Sequence, residues 1–541
     1  MSNRSIRPLV FWPPFLLLFA AVAASYITPD QFLSFTTSIN SWILDRFSWL
    51  FSLGTLLMVV TCVWVYVSPL GAVKIGGKDA TPILSRWRWF SIALCTTVAI
   101  GILFWGTAEP MYHLHGPPAS LGLEAGSPEA ATFAMSTMFL HWSFTPYAIY
   151  TIPSLMFALA YYNLKLPYSL GSALAPILGR KLQGPMGQVL DAVALYALVA
   201  GMAASLGTGI LTLAGGLDNL IGTGTTPVVL GALTTLIVVS FIISAASGLK
   251  RGIAILSSLN TRFFFVFCAF VFIFGPTNWI LSMGVEGFGD YIGTFFQKST
   301  FTGIAASDPW PQWWTIFYWA NWLAWAPIAA LFLGKISRGY TVRQFILTNL
   351  VFPSLFACVW MSIFSGSALF FDMHGNGLLH NALTNTGAES VVYTMLEQLP
   401  LPGITAVIFV FVSFLSYVTA ADSNTEAMAN LCAETPSESP EHADTPGSST
   451  LVLKVVWGAT IGIIAWFMTS YAGVDGIKMM SNLGGLPALF IVLGCNASLI
   501  YVMTSKKFEL QPDAQPAPGA RLSEDLLDEL IGEGGKKPAS T

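Results

Sequence analysis

Long apolar stretches separated by short polar connections dominate the chain. Twelve can be drawn, at about 9–27, 47–69, 89–107, 131–162, 188–220, 228–246, 252–283, 313–334, 342–363, 401–431, 451–470 and 480–502. A straight helical crossing of a bilayer needs ~20 apolar residues. Each stretch therefore predicts a spanning helix, and the longer ones predict tilt or extension into water. Backbone polar groups find no water inside a bilayer, which leaves the helix as the element for such stretches. The pattern predicts an all-α polytopic membrane protein of twelve transmembrane helices.

Composition agrees and narrows the class. Of 541 residues 54% are hydrophobic and 10% charged, against about 25% charged in soluble domains. Mean hydropathy is +0.66. This excludes a soluble enzyme and a disordered chain, and a net charge of −4 offers no basic face to a nucleic acid. The six cysteines lie in or at the edge of apolar runs and are not spaced as metal ligands. The segment 8–29 reads as a first spanning helix rather than a cleavable signal.

Charge asymmetry assigns the sides. With the N-terminus in the cytoplasm, thirteen of the 24 Lys and Arg fall in inner loops or at their edges, and seven fall in the two tails. Outer loops keep Arg46, Lys298 and Lys478, as the positive-inside rule expects. Both termini are then cytoplasmic. Segment 285–302 reads as a surface helix with Phe288, Tyr291 and Phe295 on one side. The loop 434–449 is rich in Pro, Ser and Glu, and the tail places Leu522, Leu526, Leu527 and Leu530 at helical spacing among acids.

No nucleotide-binding motif is present, so ATP is not the expected driver. His/Cys/Glu spacing suggests no metalloenzyme cluster. Only His141 is placed in a span, while His113 and His115 read as a solvated loop pair. Gly-interrupted helices in this number point to a secondary transporter. Two segments carry the most chemistry. In Leu140-His141-Trp142-Ser143-Phe144-Thr145-Pro146-Tyr147-Ala148-Ile149-Tyr150 the aromatics lie mid-span, unlike those of an interfacial belt. In Phe317-Tyr318-Trp319-Ala320-Asn321-Trp322-Leu323-Ala324-Trp325-Ala326-Pro327 the tryptophans recur every three residues. Aromatic rings around a cavity attract a cation with about 0.5–2 kcal/mol per face. Such a cage suits a quaternary ammonium, which has no N–H to donate.

These residues resemble the betaine/carnitine/choline transporter (BCCT) family, in particular its sodium-independent members. Further matching segments are Ile336-Ser337-Arg338-Gly339-Tyr340-Thr341-Val342-Arg343-Gln344-Phe345, Phe104-Trp105-Gly106-Thr107-Ala108-Glu109-Pro110, Ala204-Ser205-Leu206-Gly207-Thr208-Gly209, Ser247-Gly248-Leu249-Lys250-Arg251-Gly252-Ile253 and Val418-Thr419-Ala420-Ala421-Asp422-Ser423. The resemblance implies a leucine-transporter-type core of two inverted five-helix repeats. It divides the chain into 1–87 (N-terminus, two peripheral helices and an inner loop), 88–303 and 304–505 (the repeats), and the cytoplasmic tail 506–541. It also implies a homotrimer and a midplane site beside an unwound helix.

The family's aromatic box falls on Trp142, Tyr147, Tyr150 and Trp322, with Trp319, Trp325 and Asn321 beside it. The unwound stretch falls on Thr97-Val98-Ala99-Ile100-Gly101, which makes Ala99 and Gly101 substrate-facing. Choline carriers resemble this stretch with Asp at the last position. Gly101 stands there, and no mid-span carboxylate is expected near the box, so a zwitterion carrying its own carboxylate fits better than a net cation. Asn321, in place of an aromatic, reads either as a substrate hydrogen-bonding group or as a polar helix–helix contact.

The family's sodium ligands fall on Leu198 and Met202, which offer no oxygen. Thr419 remains, with Ala420 beside it. Arg262 stands where sodium-independent members carry an Arg that substitutes for the ion. The expected function is therefore sodium-independent transport of glycine betaine, carnitine or dimethylsulfoniopropionate, with exchange favoured. A proton-coupled choline or betaine symporter, with His141, Glu109 or Asp422 as relay, is the alternative, and an osmosensor regulated by its tail is a third reading. No enzyme activity, metal or cofactor is expected, and the partners are the onium substrate, the bilayer and two further copies of the chain.

Overall fold

The computed structural model describes residues 6–98, 100–182, 185–246, 252–433 and 448–505. The loop after Cys432, the tail helix, Ala99 and most of the Ser247–Ile253 motif lie outside the described residues. Eighteen α-helices are described. The N-terminal pair is α1 (Pro8–Ile27) and α2 (Pro29–Val67), followed by α3 (Arg86–Val98), α4 (Gly101–His115), α5 (Pro128–Trp142), α6 (Phe144–Ala158) and the short α7 (Leu170–Leu178). Next come α8 (Pro185–Ile221), α9 (Pro227–Ala246), α10 (Gly252–Phe274) and α11 (Thr277–Ser299). The remainder is α12 (Phe317–Lys335), α13 (Val342–Ile346), α14 (Phe352–His374), α15 (Leu378–Asn385), α16 (Ala388–Leu396), α17 (Pro402–Cys432) and α18 (Ser448–Thr504). Strands are absent among the described residues, apart from two isolated bridges.

Several of the twelve apolar stretches prove to be broken helices. The 89–107 stretch divides into α3 and α4, bent by 52°. The 131–162 stretch divides at Ser143, whose φ of −117° and ψ of −118° interrupt the helix between α5 and α6. The stretches 451–470 and 480–502, which together fall in α18, are two helices separated by a kink at Gly473. Gly473 has φ +53° and ψ −132°, a backbone conformation that side-chain-bearing residues avoid. The predicted surface helix is α11, which leaves α10 at 110°.

The bend at α3/α4 has a counterpart in the second half. There the segment Gln312–Pro327 turns by 53° into Ala329–Lys335, where Pro327 withholds a backbone donor. The first helix of each expected repeat is thus broken by nearly the same angle. Around them, α8 packs between the second half of α18 and α12. A Cβ added at Gly485 would lie 2.5 Å from Ala320, and one at Gly201 would lie 2.9 Å from Ala324. Small residues bring these backbones close, as membrane helices require.

The signature segment after α12 is a structural latch. Tyr340 stacks on Trp89 at 3.9 Å and donates its hydroxyl to Leu84 O at 2.7 Å. Arg343 donates to the carbonyls of Tyr66 and Ser68 that close α2. All six cysteines are free thiols, five of them buried.

Candidate functional site: an aromatic cage backed by a buried Glu–His cluster

The helix breaks assemble the site. Ser127 caps α5 by accepting the Ala130 N–H at 3.1 Å, and Trp142 is the last residue before the interruption at Ser143. Restarting as α6, the chain presents Tyr147 and Tyr150, three residues apart and so on one face. From α12, Trp322 meets all three rings. Its centroid is 5.5 Å from that of Trp142 at 79°, 5.5 Å from Tyr150 at 75°, and 5.9 Å from Tyr147 at 53°. Trp142 and Tyr150 meet Trp322 edge to face and Tyr147 meets it at a tilt, as adjoining walls, and all four residues are buried. Gly101 lies under one wall, since a Cβ there would stand 3.0 Å from Trp142 Cη2. Opening α4 with glycine leaves room for the indole.

The other expected box residues point elsewhere. Trp325 turns to α8, against Gly201. Trp319 sets its ring at 90° to the His141 imidazole at 5.8 Å. Asn321 is half-buried, and its Oδ1 accepts from Ser481 Oγ at 3.1 Å, which is the polar helix–helix contact. Ala99 is among the residues not described. An apolar groove of about 550 Å³ between α3, α10 and α14 is lined by Arg86, Phe265 and Phe356 among others, and no box residue lines it.

Behind Trp142 the structure corrects the sequence reading. His113 is not a loop residue, and Glu109 lies well inside its helix rather than at the end. Both are buried in α4, one helical turn apart. Glu109 Oε1 faces His113 Nε2 at 3.0 Å and His141 Nδ1 at 2.6 Å, while Oε2 accepts the Trp142 indole N–H at 2.7 Å. His141 Nε2 lies 3.0 Å from Thr315 Oγ1, and the His141 carbonyl accepts the Trp322 indole N–H at 3.1 Å. A mid-span carboxylate therefore stands one hydrogen bond behind the cage, contrary to the expectation that none lies near it.

The sequence reading expected no metalloenzyme cluster, yet a buried Glu/His cluster is present. One ligand atom each of Glu109, His113 and His141 falls within a 4.8 Å span. The 2.6 Å approach of a nitrogen to the shared oxygen is closer than the about 3.3 Å between two ligands of a tetrahedral zinc ion. It is the spacing of a shared proton. His115 is no solvated partner of His113 either. Its Nε2 meets Asp372 Oδ2 at 2.6 Å and its ring stacks on His380 at 3.9 Å. The miss has a simple origin: the sequence reading ended this span at 107, whereas α4 continues to His115. Glu109 and His113 are spaced i, i+4, a signal visible once the helix is extended.

At the coupling positions, Leu198 and Met202 are fully buried apolar side chains. Thr419 is buried and donates to its own helix at Leu415 O, with Ala420 beside it. Arg262 is exposed and makes no ion pair among the described residues. The link from α10 to α17 runs through its buried neighbour Asn260, which donates to Ser416 Oγ at 3.0 Å. The expected guanidinium bridge between helices is not the contact seen here.

The broken first helices and the buried aromatic cluster fit a polytopic transporter. The chain belongs to the betaine/carnitine/choline transporter family: the model described as "BCCT, betaine/carnitine/choline family transporter" matches residues 9–508. The glycine betaine transporter OpuD of Bacillus subtilis (strain 168) is 31% identical over 506 residues, covering 93% of this chain and 95% of that protein. An ectoine/hydroxyectoine transporter of Virgibacillus pantothenticus is 30% identical over 95% of this chain and 100% of its own length. The high-affinity choline transport protein of Escherichia coli (strain K12) is 30% identical over 92% of this chain and 72% of its own length. A solved Na+-coupled sialic acid symporter in a substrate-bound, outward-open state overlaps 83% of this chain and 87% of its own at 15% identity and a TM-score of 0.44. By its family membership the protein is an all-α multi-pass membrane transporter, not an enzyme.

Proposed function

We propose that this protein carries zwitterionic onium compounds such as glycine betaine, carnitine or dimethylsulfoniopropionate across a bacterial inner membrane by alternating access, without sodium. The observation that carries the reading is the Trp322 ring meeting Trp142, Tyr147 and Tyr150 as adjoining walls. Such walls offer π faces to a cation that has no N–H group. Relatives named for glycine betaine, ectoine and choline support small onium-like cargo. The zwitterion is preferred because both oxygens of Glu109 are engaged by His113, His141 and Trp142, which leaves the carboxylate no direct ion pair with a bound cation.

Sodium independence is supported by Leu198 and Met202, which place buried apolar side chains where oxygen ligands would be needed. Exchange of one substrate for another then drives cycling, with Arg262 and Thr419 as the coupling residues of this reading. The two repeats rock about the cage, both termini face the cytoplasm, and three copies assemble. A second reading, a proton-coupled choline carrier, is favoured by one observation: Glu109 sets a buried counter-charge next to a cage wall.

The test is uptake of labelled glycine betaine, carnitine and choline into proteoliposomes without sodium or a pH gradient, with and without unlabelled substrate inside. Uptake that requires internal substrate supports exchange. Uptake that appears only with sodium refutes sodium independence. Uptake of choline alone, under a proton gradient, replaces the first reading with the second.

A further inference from the structure

We propose that Glu109, His113 and His141 form a proton-binding site whose occupancy opposes that of the aromatic cage, so that an entering onium group expels a proton from His141. The inference rests on the onium-carrier reading above and adds the ion that answers the substrate. Its first support is connectivity. Glu109 holds Trp142 by the indole N–H at 2.7 Å, and the His141 carbonyl holds Trp322 by its indole N–H at 3.1 Å. Two of the four cage walls are therefore fastened directly to the cluster.

The second support is where a proton can sit. A neutral imidazole donates from one nitrogen and accepts at the other, whereas an imidazolium donates from both. His113 gives Nε2 to Glu109, but its Nδ1 is buried without a partner. A proton there would be an unpaired buried donor, a costly arrangement. His141 differs: Nδ1 meets Glu109 and Nε2 meets the hydroxyl of Thr315 at 3.0 Å. A hydroxyl donates or accepts by rotating. Either protonation state of His141 is thus satisfied with every heavy atom in place.

The third support is the sign of the charge. Glu109 and a protonated His141 form a neutral pair, and losing the proton leaves a buried carboxylate. That charge strengthens the hydrogen bond to Trp142 and makes the indole face more negative. A cation in the cage is drawn both by the field of the carboxylate and by the enriched ring. Restoring the proton removes both attractions, so the two cations compete for one negative charge. By reciprocity, each weakens the other by the same factor.

Other ionisable groups surround the cluster without replacing it. Tyr318 of α12 stacks on His141 at 4.6 Å, and its buried hydroxyl acts on Glu109. Lys478 of α18, 3.7 Å above the Trp314 ring, acts on Glu109 and His113. Tyr112 of α4 faces Asp475 and Glu389, and through Tyr318 it borders the cluster. His115, Asp372 and His380 form a separate contact at the C-terminal end of α4.

The experiment is calorimetric binding to the full chain in nanodiscs between pH 5 and 9, in two buffers of different ionisation enthalpy. The probes are glycine betaine, carnitine, dimethylsulfoniopropionate and choline. Choline has no group titrating in this range, so its pH dependence belongs to the protein. Expected is a Kd that falls about tenfold per pH unit on the acidic limb, with up to one proton released per onium bound. In His141→Asn the amide keeps a donor toward Glu109 but cannot titrate, and both effects should vanish. A pH-independent Kd without proton release in the wild type overturns the proposal, as does their persistence in His141→Asn. Should none of the four probes bind folded wild type, the onium reading itself has failed. The site is then judged by the pH titration of Trp142 fluorescence, taken as wild type minus Trp142→Phe. A one-proton step absent from His141→Asn upholds it, and no step overturns it.

Discussion

Removing Trp322 is the sharpest test of the cage. Its indole faces the other three aromatic walls and donates to the His141 carbonyl. One aromatic face contributes about 2 kcal/mol when water is excluded, which corresponds to about 30-fold in affinity. Trp322→Ala should therefore raise the Kd for glycine betaine by about one to two orders of magnitude. It also opens a void and leaves a buried carbonyl unpaired, for a stability loss of about 3–5 kcal/mol. Trp322→Phe separates the two effects. It keeps a ring and loses only the N–H, so the Kd should rise by several-fold with a smaller drop in Tm. The assay is calorimetric binding in nanodiscs, with Tm measured on the same samples. A Trp322→Ala protein that keeps a cooperative melt and binds glycine betaine as tightly as wild type refutes the cage.

Gly101→Ala places a methyl 3.0 Å from Trp142 Cη2; overpacking of this kind is worth about 1–3 kcal/mol. Onium affinity should fall several-fold and Tm by about a few degrees, and unchanged affinity would separate Gly101 from the cage. Arg262→Ala should slow exchange in sodium-free proteoliposomes yet leave glycine betaine binding within about twofold, since the side chain is exposed and apart from the box. Normal exchange in that variant would remove Arg262 from coupling. Outside the membrane spans, Asp308 accepts the backbone N–H and hydroxyl of Ser120 and the N–H of Trp310, bonds that hold its carboxyl below the usual value. A lowered folded-state pKa gives stability that is present above the unfolded-state value, near 4, and lost as pH falls through the lowered one. Asp308→Asn should thus lower Tm at pH 7 and flatten its decline from pH 5 to 3; an unaltered Tm–pH curve would show the contact to be without consequence.

The reach of the sequence reading followed the physics of each feature. Helices were legible because bilayer thickness fixes their length and the backbone has no alternative partner there. Their breaks were only partly so: the pattern separated the two halves of α18 at Gly473, but Ser143 interrupts a helix inside the continuous run 131–162, and hydropathy does not register a change in φ and ψ. In the site, Trp142, Tyr147, Tyr150 and Trp322 were found from aromatic composition at mid-span and from the family resemblance. Trp325 and Trp319 share the three-residue spacing of Trp322, yet a helix turns 300° over three residues. The stripe therefore drifts, and Trp325 reaches α8.

Glu109 was named only as a possible relay at the outer end of its span, and its place behind the cage was missed for a different reason. A carboxylate near the end of an apolar run reads as interfacial unless its partners are known, and those partners come from two elements, His113 on its own helix and His141 on α5. Hydrophobicity counts charge along the chain, whereas the cost of burying charge is set by what surrounds it in space. Two imidazoles and an indole around one carboxylate make burial tolerable, and they also make that carboxylate answer to whatever binds beside the indole. The feature that hid the position of Glu109 from the sequence reading is the same one that joins it to the cage. A residue needing three partners to be buried cannot change its charge without moving electron density in all three, and one of them is a wall of the binding site.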